Sequence, residues 1–81
     1  MNQNTTVFTP QKEESKRVKE IMEEVVLALK DKGYEPVSQI IGYILSGDPT
    51  YITSHKDARA LICKIERDDL LEEMIKKYLC L

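Results

Sequence analysis

Apolar residues in this chain recur at three- and four-residue steps, and no segment alternates with period two for long. Val18, Ile21, Met22, Val25 and Leu29 form one such stripe, which predicts a first helix over residues 12–32. Val26, Leu27 and Ala28 widen the stripe, so the second half of that helix is expected to be the more buried. Glu13 and Glu14 near its start and Lys30 and Lys32 near its end match the helix dipole. Gly33 then offers a left-handed cap.

A second helix is predicted to open at Pro36, because a proline's missing N–H is unpaired at the first helical position in any case. Val37, Ile40, Ile41, Ile44 and Leu45 read as its buried stripe, with Gly42 and Tyr43 off the centre. A glycine inside a helix costs about 1 kcal/mol against alanine, so Gly42 implies a close backbone approach. Gly47 ends the helix, Asp48 is placed to cap the next turn, and Pro49 starts that single short turn, which runs to Thr53. A third helix is expected from Ser54, with Asp57 three residues on in a capping-box arrangement. Its stripe is Ala58, Leu61, Ile62 and Ile65. The charged run 66–69 breaks the phase, and Leu70, Leu71, Met74, Ile75, Tyr78 and Leu79 form a new set, which predicts a kink or a fourth helix near Asp68. Glu72–Lys76 and Glu73–Lys77 are favourable i,i+4 pairs on its outer face. The fold class is therefore all-α, a compact bundle of three to four helices. Residues 1–11 read as a flexible polar tail and residues 12–81 as a single helical domain.

A chain of 81 residues buries only about 60% of its unfolded surface, so its core is marginal. Such scaffolds gain stability from disulfides, metals or partner chains. Cys63 and Cys80 form no framework, and no Cys/His cluster has zinc spacing. Self-association is the remaining remedy, and a homodimer is expected. The net charge of −2 argues against an electrostatic nucleic-acid binder. No run of about 18 apolar residues is present, and the first residues lack the pattern of a signal peptide. Two unpaired cysteines without an export signal fit the reducing cytoplasm.

Candidate chemistry is sparse. His55 and Cys63 are eight residues apart, about 12 Å of helical rise, too far for a nucleophile and its base to touch. Cys63 reads more simply as a small core residue. The segment Gly47-Asp48-Pro49 lacks the glycine repeat and the Lys-Ser/Thr ending of a phosphate loop. A helix-turn-helix reading competes on topology: residues 54–67 would be the reading helix, presenting His55, Lys56, Arg59, Lys64 and Arg67. Asp57 and Glu66 dilute that patch, and a solvated helix face is the plainer account. The tail carries Thr5, Thr6 and Thr9. Phosphorylation there would add about −1.5 to −2 charges, able to dock on Arg59 or Arg67. No titratable set converges, so the chain reads as a non-enzyme without cofactor or metal.

At Gly33-Tyr34, Pro36, Gln39-Ile40, Gly42-Tyr43, Leu45-Ser46-Gly47-Asp48-Pro49 and Tyr51 the sequence resembles the IreB family. The resemblance continues through His55-Lys56-Asp57-Ala58-Arg59, Glu66-Arg67-Asp68, Glu72-Glu73 and Tyr78-Leu79, covering roughly residues 30–79. It implies a small cytoplasmic regulatory phosphoprotein of Gram-positive bacteria. Its kinase would be a membrane Ser/Thr kinase with extracellular PASTA repeats, opposed by a cognate phosphatase, in control of cell-envelope stress. It also implies a helical homodimer with phosphoacceptor threonines in the N-terminal tail. Thr5, three residues before Phe8, fits the family spacing, with Thr6 as the alternative. Gln3 stands where the family has an acidic residue. Thr53 and Ser54 replace a frequent proline and basic residue, and Cys63 a frequent arginine. These changes remove positive charge from the third helix. The resemblance leaves the downstream protein partner open.

Overall fold

The first helix, α1, runs Pro10–Asp31, two residues ahead of its expected start, with a proline at the first helical position. It is followed by α2 (Pro36–Ser46), single 3-10 turns at Pro49–Tyr51 and His55–Asp57, α3 (Ala58–Ile62) and α4 (Arg67–Leu79). The computed structural model describes residues 10–81, and side chains from Glu13 onward. Thr5, Thr6 and Thr9 lie outside the described residues. The described chain is all-helical, as the periodicity predicts.

The α1 stripe is the spine of the core. Val18, Ile21, Val25, Ala28 and Leu29 are buried, and Ile40, Tyr43, Ile52, Ala58, Ile62, Ile65 and Leu70 close over them. Leu27, expected to widen the stripe, faces outward. At the end of α1, Gly33 takes φ 81° and the Tyr34 N–H donates to the Leu29 carbonyl at 2.9 Å, closing the helix in a Schellman-type cap.

Four further expectations are overturned. In α2 the buried residues are Ile40 and Tyr43, whereas Val37, Ile41 and Leu45 point away from the core. The helix is apolar on more than one face, and only the side toward α1 meets the core. Residues 54–67 do not form one helix. Lys56 (φ 53°) and Asp57 (φ 62°) are both left-handed, leaving a 3-10 turn and a five-residue helix. The Ser54–Asp57 capping box does not form, since neither residue makes a side-chain cap bond. Cys63, expected in the core, is exposed at the end of α3. The phase slip after Ile65 is a true helix boundary, and α4 starts one residue before Asp68. Of its two expected pairs, Lys76–Glu72 forms at 2.9 Å.

Candidate functional site

The segment between Gly33 and Arg67 holds most of the residues that drew chemical interest, and the structure shows how each is used. α2 starts with Pro36 at its first turn and the Glu35 carboxylate accepting from the Ser38 N–H at 2.9 Å. Glu35 is a cap that the sequence does not announce, because glutamate is not among the favoured N-cap residues. Gly47 closes the helix at φ 76°, its N–H donating to the Tyr43 carbonyl at 2.7 Å. The Ser46 hydroxyl donates to the Gly42 carbonyl at 2.6 Å and accepts from the Asp48 N–H at 3.0 Å. Asp48 then caps the Pro49 turn, as expected. Its Oδ1 accepts from the Thr50 N–H at 3.0 Å and from the Thr50 hydroxyl at 2.7 Å. Those two bonds hold the Asp48 carboxyl below its ordinary value.

Gly42 is required by a side chain, where the sequence reading expected backbone. A Cβ there would lie 2.4 Å from Cε1 of the Tyr51 ring. Gln39 fastens the same turn, its Nε2 donating to the Tyr51 carbonyl at 2.8 Å. Tyr43 is buried and its hydroxyl donates to the exposed Cys63 Sγ at 3.8 Å. Burial, and then that contact, push the phenol above its ordinary value.

Four of the five cations of the expected reading helix, all but Lys64, are engaged within the molecule. Arg59 Nε donates to the carbonyls of Pro49 (3.1 Å) and Ile52 (2.8 Å), tying the first 3-10 turn to α3. Arg67 donates to the Ile44 carbonyl at 2.8 Å, one of the orphan carbonyls of the last turn of α2. Its guanidinium lies over Gly47, where a Cβ would come within 2.8 Å of Cζ. Arg17, not singled out from sequence, holds the turn after α3: it donates to the Lys64 carbonyl at 2.9 Å while pairing with Glu14 at 3.0 Å. His55 Nε2 lies 3.3 Å from the Asp31 carboxylate and Lys56 Nζ 3.7 Å from it. The reading helix expected over 54–67 is therefore absent as a continuous element, and two of its arginines act as carbonyl caps.

What the described surface offers instead is apolar. On α2, Val37, Ile41 and Leu45 sit at i, i+4 and i+8 with Leu45 80% exposed. On α4, Leu71, Ile75, Tyr78 and Leu79 sit at i, i+4, i+7 and i+8, with Tyr78 87% exposed. Contiguous apolar faces of this kind mark contacts with other macromolecules. Among the described residues, no group of three or more His, Cys, Asp and Glu side chains is placed to hold a metal ion, and no helix is long and apolar enough to cross a membrane.

The model of the IreB regulatory phosphoprotein family matches residues 3–80. This chain belongs to the IreB family. A UPF0297 protein of Acetivibrio thermocellus is 55% identical over 78 residues, covering 96% of this chain and 87% of the relative. A UPF0297 protein of Lachnoclostridium phytofermentans is 55% identical over 76 residues, and one of Ruminiclostridium cellulolyticum 53% over 75. The first of these two covers 94% of this chain and 86% of the relative, the second 93% and 85%. The IreB match takes in the N-terminal residues as well as the corner, and it supports a regulatory role.

Proposed function

We propose that this IreB-family chain is a non-enzymatic regulatory phosphoprotein of the cytoplasm. It is phosphorylated by a PASTA-type Ser/Thr kinase, opposed by its phosphatase, and acts in cell-envelope stress signalling through protein–protein contacts as a homodimer. The observation that carries this reading is the family match over residues 3–80, which includes the threonine segment. Two features of the folded part support it. The polar side chains of the corner are spent on caps, and the exposed faces of α2 and α4 are apolar. Thr5 and Thr6 are the proposed phosphoacceptors, and Thr5 has Phe8 at the family spacing.

The test is incubation of the full chain with its host's PASTA kinase and ATP, followed by peptide mass spectrometry. Phosphate on Thr5 or Thr6, lost in a T5A/T6A variant, is the expected outcome. A chain that takes up no phosphate on residues 5–9 refutes the tail as the switch. A nucleic-acid role for residues 54–67 has no observation in its favour, since Arg59 and Arg67 are held against backbone carbonyls.

A further inference from the structure

Between α1 and α4 lies an open groove of about 850 Å³. Its floor is apolar: Val18 and Met22 of α1 on one side, Met74 of α4 on the other, with the exposed Leu27 at the far end. The α1 rim is dipolar along its length, with Lys16 and Lys19 at one end and Glu23 and Glu24 at the other. From Ser15 to Leu27 the groove spans about 18 Å of helical rise, room for a helix of about three turns.

The molecule itself carries a helix of that description. α4 has 13 residues, about 20 Å. Its outward ridge, Leu71, Ile75 and Tyr78 with Leu79, is unpartnered in the monomer. Asp68 and Asp69 lie in its first turn and Lys76 and Lys77 in its last. Laid along α1 in the same sense, its acidic end meets Lys16 and Lys19 and its basic end meets Glu23 and Glu24. The rise per residue matches, so Leu71, Ile75 and Leu79 come level with positions near 19, 23 and 27 of the facing α1. α4 cannot fill its own groove, because Glu73, Met74 and Lys77 are already one of its walls.

We propose that the α1/α4 groove is filled by α4 of a second copy, each copy donating its ridge to the other's groove in an isologous exchange. This rests on the homodimer reading above and names its interface. The other apolar face, Val37–Ile41–Leu45 on α2, then stays open in the dimer for a different protein. The chain's own residues 1–9 are a poorer occupant. Extended at about 3.3 Å per residue, the segment carries Val7 only about 10 Å back from Pro10, short of Met22 some 18 Å along α1. Asn4, about 20 Å back on that measure and the first able to reach Met22, is polar.

The test is sedimentation equilibrium of the full chain and three aspartate variants at exposed positions, with far-UV circular dichroism to verify folding. The wild type is expected to be a dimer. Leu27→Asp in the groove and Ile75→Asp on the ridge should each weaken it by about tenfold or more, as for loss of an interface anchor. Ile41→Asp on α2 should leave it unchanged. If one of the first two variants fails to fold, the other carries the test. Mixing the two should recover a heterodimer weaker than wild type, because one intact ridge–groove pair remains. A wild-type dimer that survives Leu27→Asp and Ile75→Asp, or is broken by Ile41→Asp alone, overturns the interface and leaves the dimer standing. A monomeric wild type overturns both. Should the Met22 and Met74 methyl signals of that monomer shift on deleting residues 1–9, the groove belongs to the chain's own N-terminal segment. Should they stay, the groove is left for a helix from another protein.

Discussion

Gly47 and Arg67 are coupled, and the coupling can be measured. Gly47→Ala does two things at once. It places a Cβ at φ 76°, where a non-glycine residue costs about 1–2 kcal/mol. It also drives that Cβ to 2.8 Å from Cζ and 2.9 Å from one terminal nitrogen of Arg67, so the guanidinium must leave. Leaving breaks its bond to the Ile44 carbonyl, worth about 1 kcal/mol at this exposed site. The expected loss for Gly47→Ala is therefore about 2–3 kcal/mol. Arg67→Ala loses the same hydrogen bond, about 1 kcal/mol. In the double variant the bond is lost once and the clash is gone, so the loss is again about 2–3 kcal/mol, smaller than the sum of the singles. The interaction term is about −1 kcal/mol, outside the scatter of about 0.3–0.5 kcal/mol seen for independent sites. Urea unfolding monitored at 222 nm, at one fixed protein concentration, gives all four values. Additivity within that scatter would refute the argument, because it would mean that the methyl group does not displace Arg67.

The same corner yields two more expected outcomes. Thr50→Ala removes the hydroxyl that is the main cause of Asp48's lowered carboxyl, so its titration midpoint in carboxyl NMR should rise toward 3.8. The group is depressed, so its stabilisation is present above the unfolded value and is lost as pH falls through the folded one; the variant narrows that acid window. Lys56→Gly relieves a left-handed residue at φ 53°, gaining about 1–2 kcal/mol against about 0.5–1 kcal/mol of added unfolded-state freedom. A net gain of about 0.5 kcal/mol should appear as a higher urea midpoint, with no gain for Lys56→Ala; an alanine variant as stable as the glycine variant would refute the strain.

Much of the fold was legible because the strongest sequence signals were local. The α1 stripe gave its buried residues, and Gly33, Pro36, Gly47, Asp48 and Pro49 gave the helix ends, since capping needs only near neighbours. Where burial depends on what lies across the core, periodicity gave too wide a face: Ile40 is buried and Ile44 packs against the core as expected, but Val37, Ile41 and Leu45 do not. Val37, Ile41 and Leu45 are as regular as Ile40 and Tyr43, and nothing in their spacing says which side of α2 meets α1. The break at Lys56 and Asp57 carries no glycine or proline to mark it. The Ala58-to-Ile65 stripe matches the burial of Ala58, Ile62 and Ile65, while Cys63 beside it turns outward. Of the arginines, composition shows the charge but not the carbonyl it will cap.

The engagement of those arginines bears on how such a chain can signal. Arg17, Arg59 and Arg67 each hold a backbone carbonyl belonging to a different segment: the turn after α3, the Pro49 turn and the end of α2. Docking a phosphate on Arg67 or Arg59 therefore sets a new charge-assisted bond against one that fastens the fold. The guanidinium of Arg67 also has Gly47 directly beneath it, so it cannot reorient far without uncapping α2. A modified tail acting through these arginines would act by loosening the corner. Acting through surfaces needs no such change, because the apolar faces of α2 and α4 are already exposed and lie on different helices. A small domain that closes its polar network internally and leaves two apolar faces open is built to be occupied. In the homodimer proposed above, one face answers the marginal core by self-association and the other is left open.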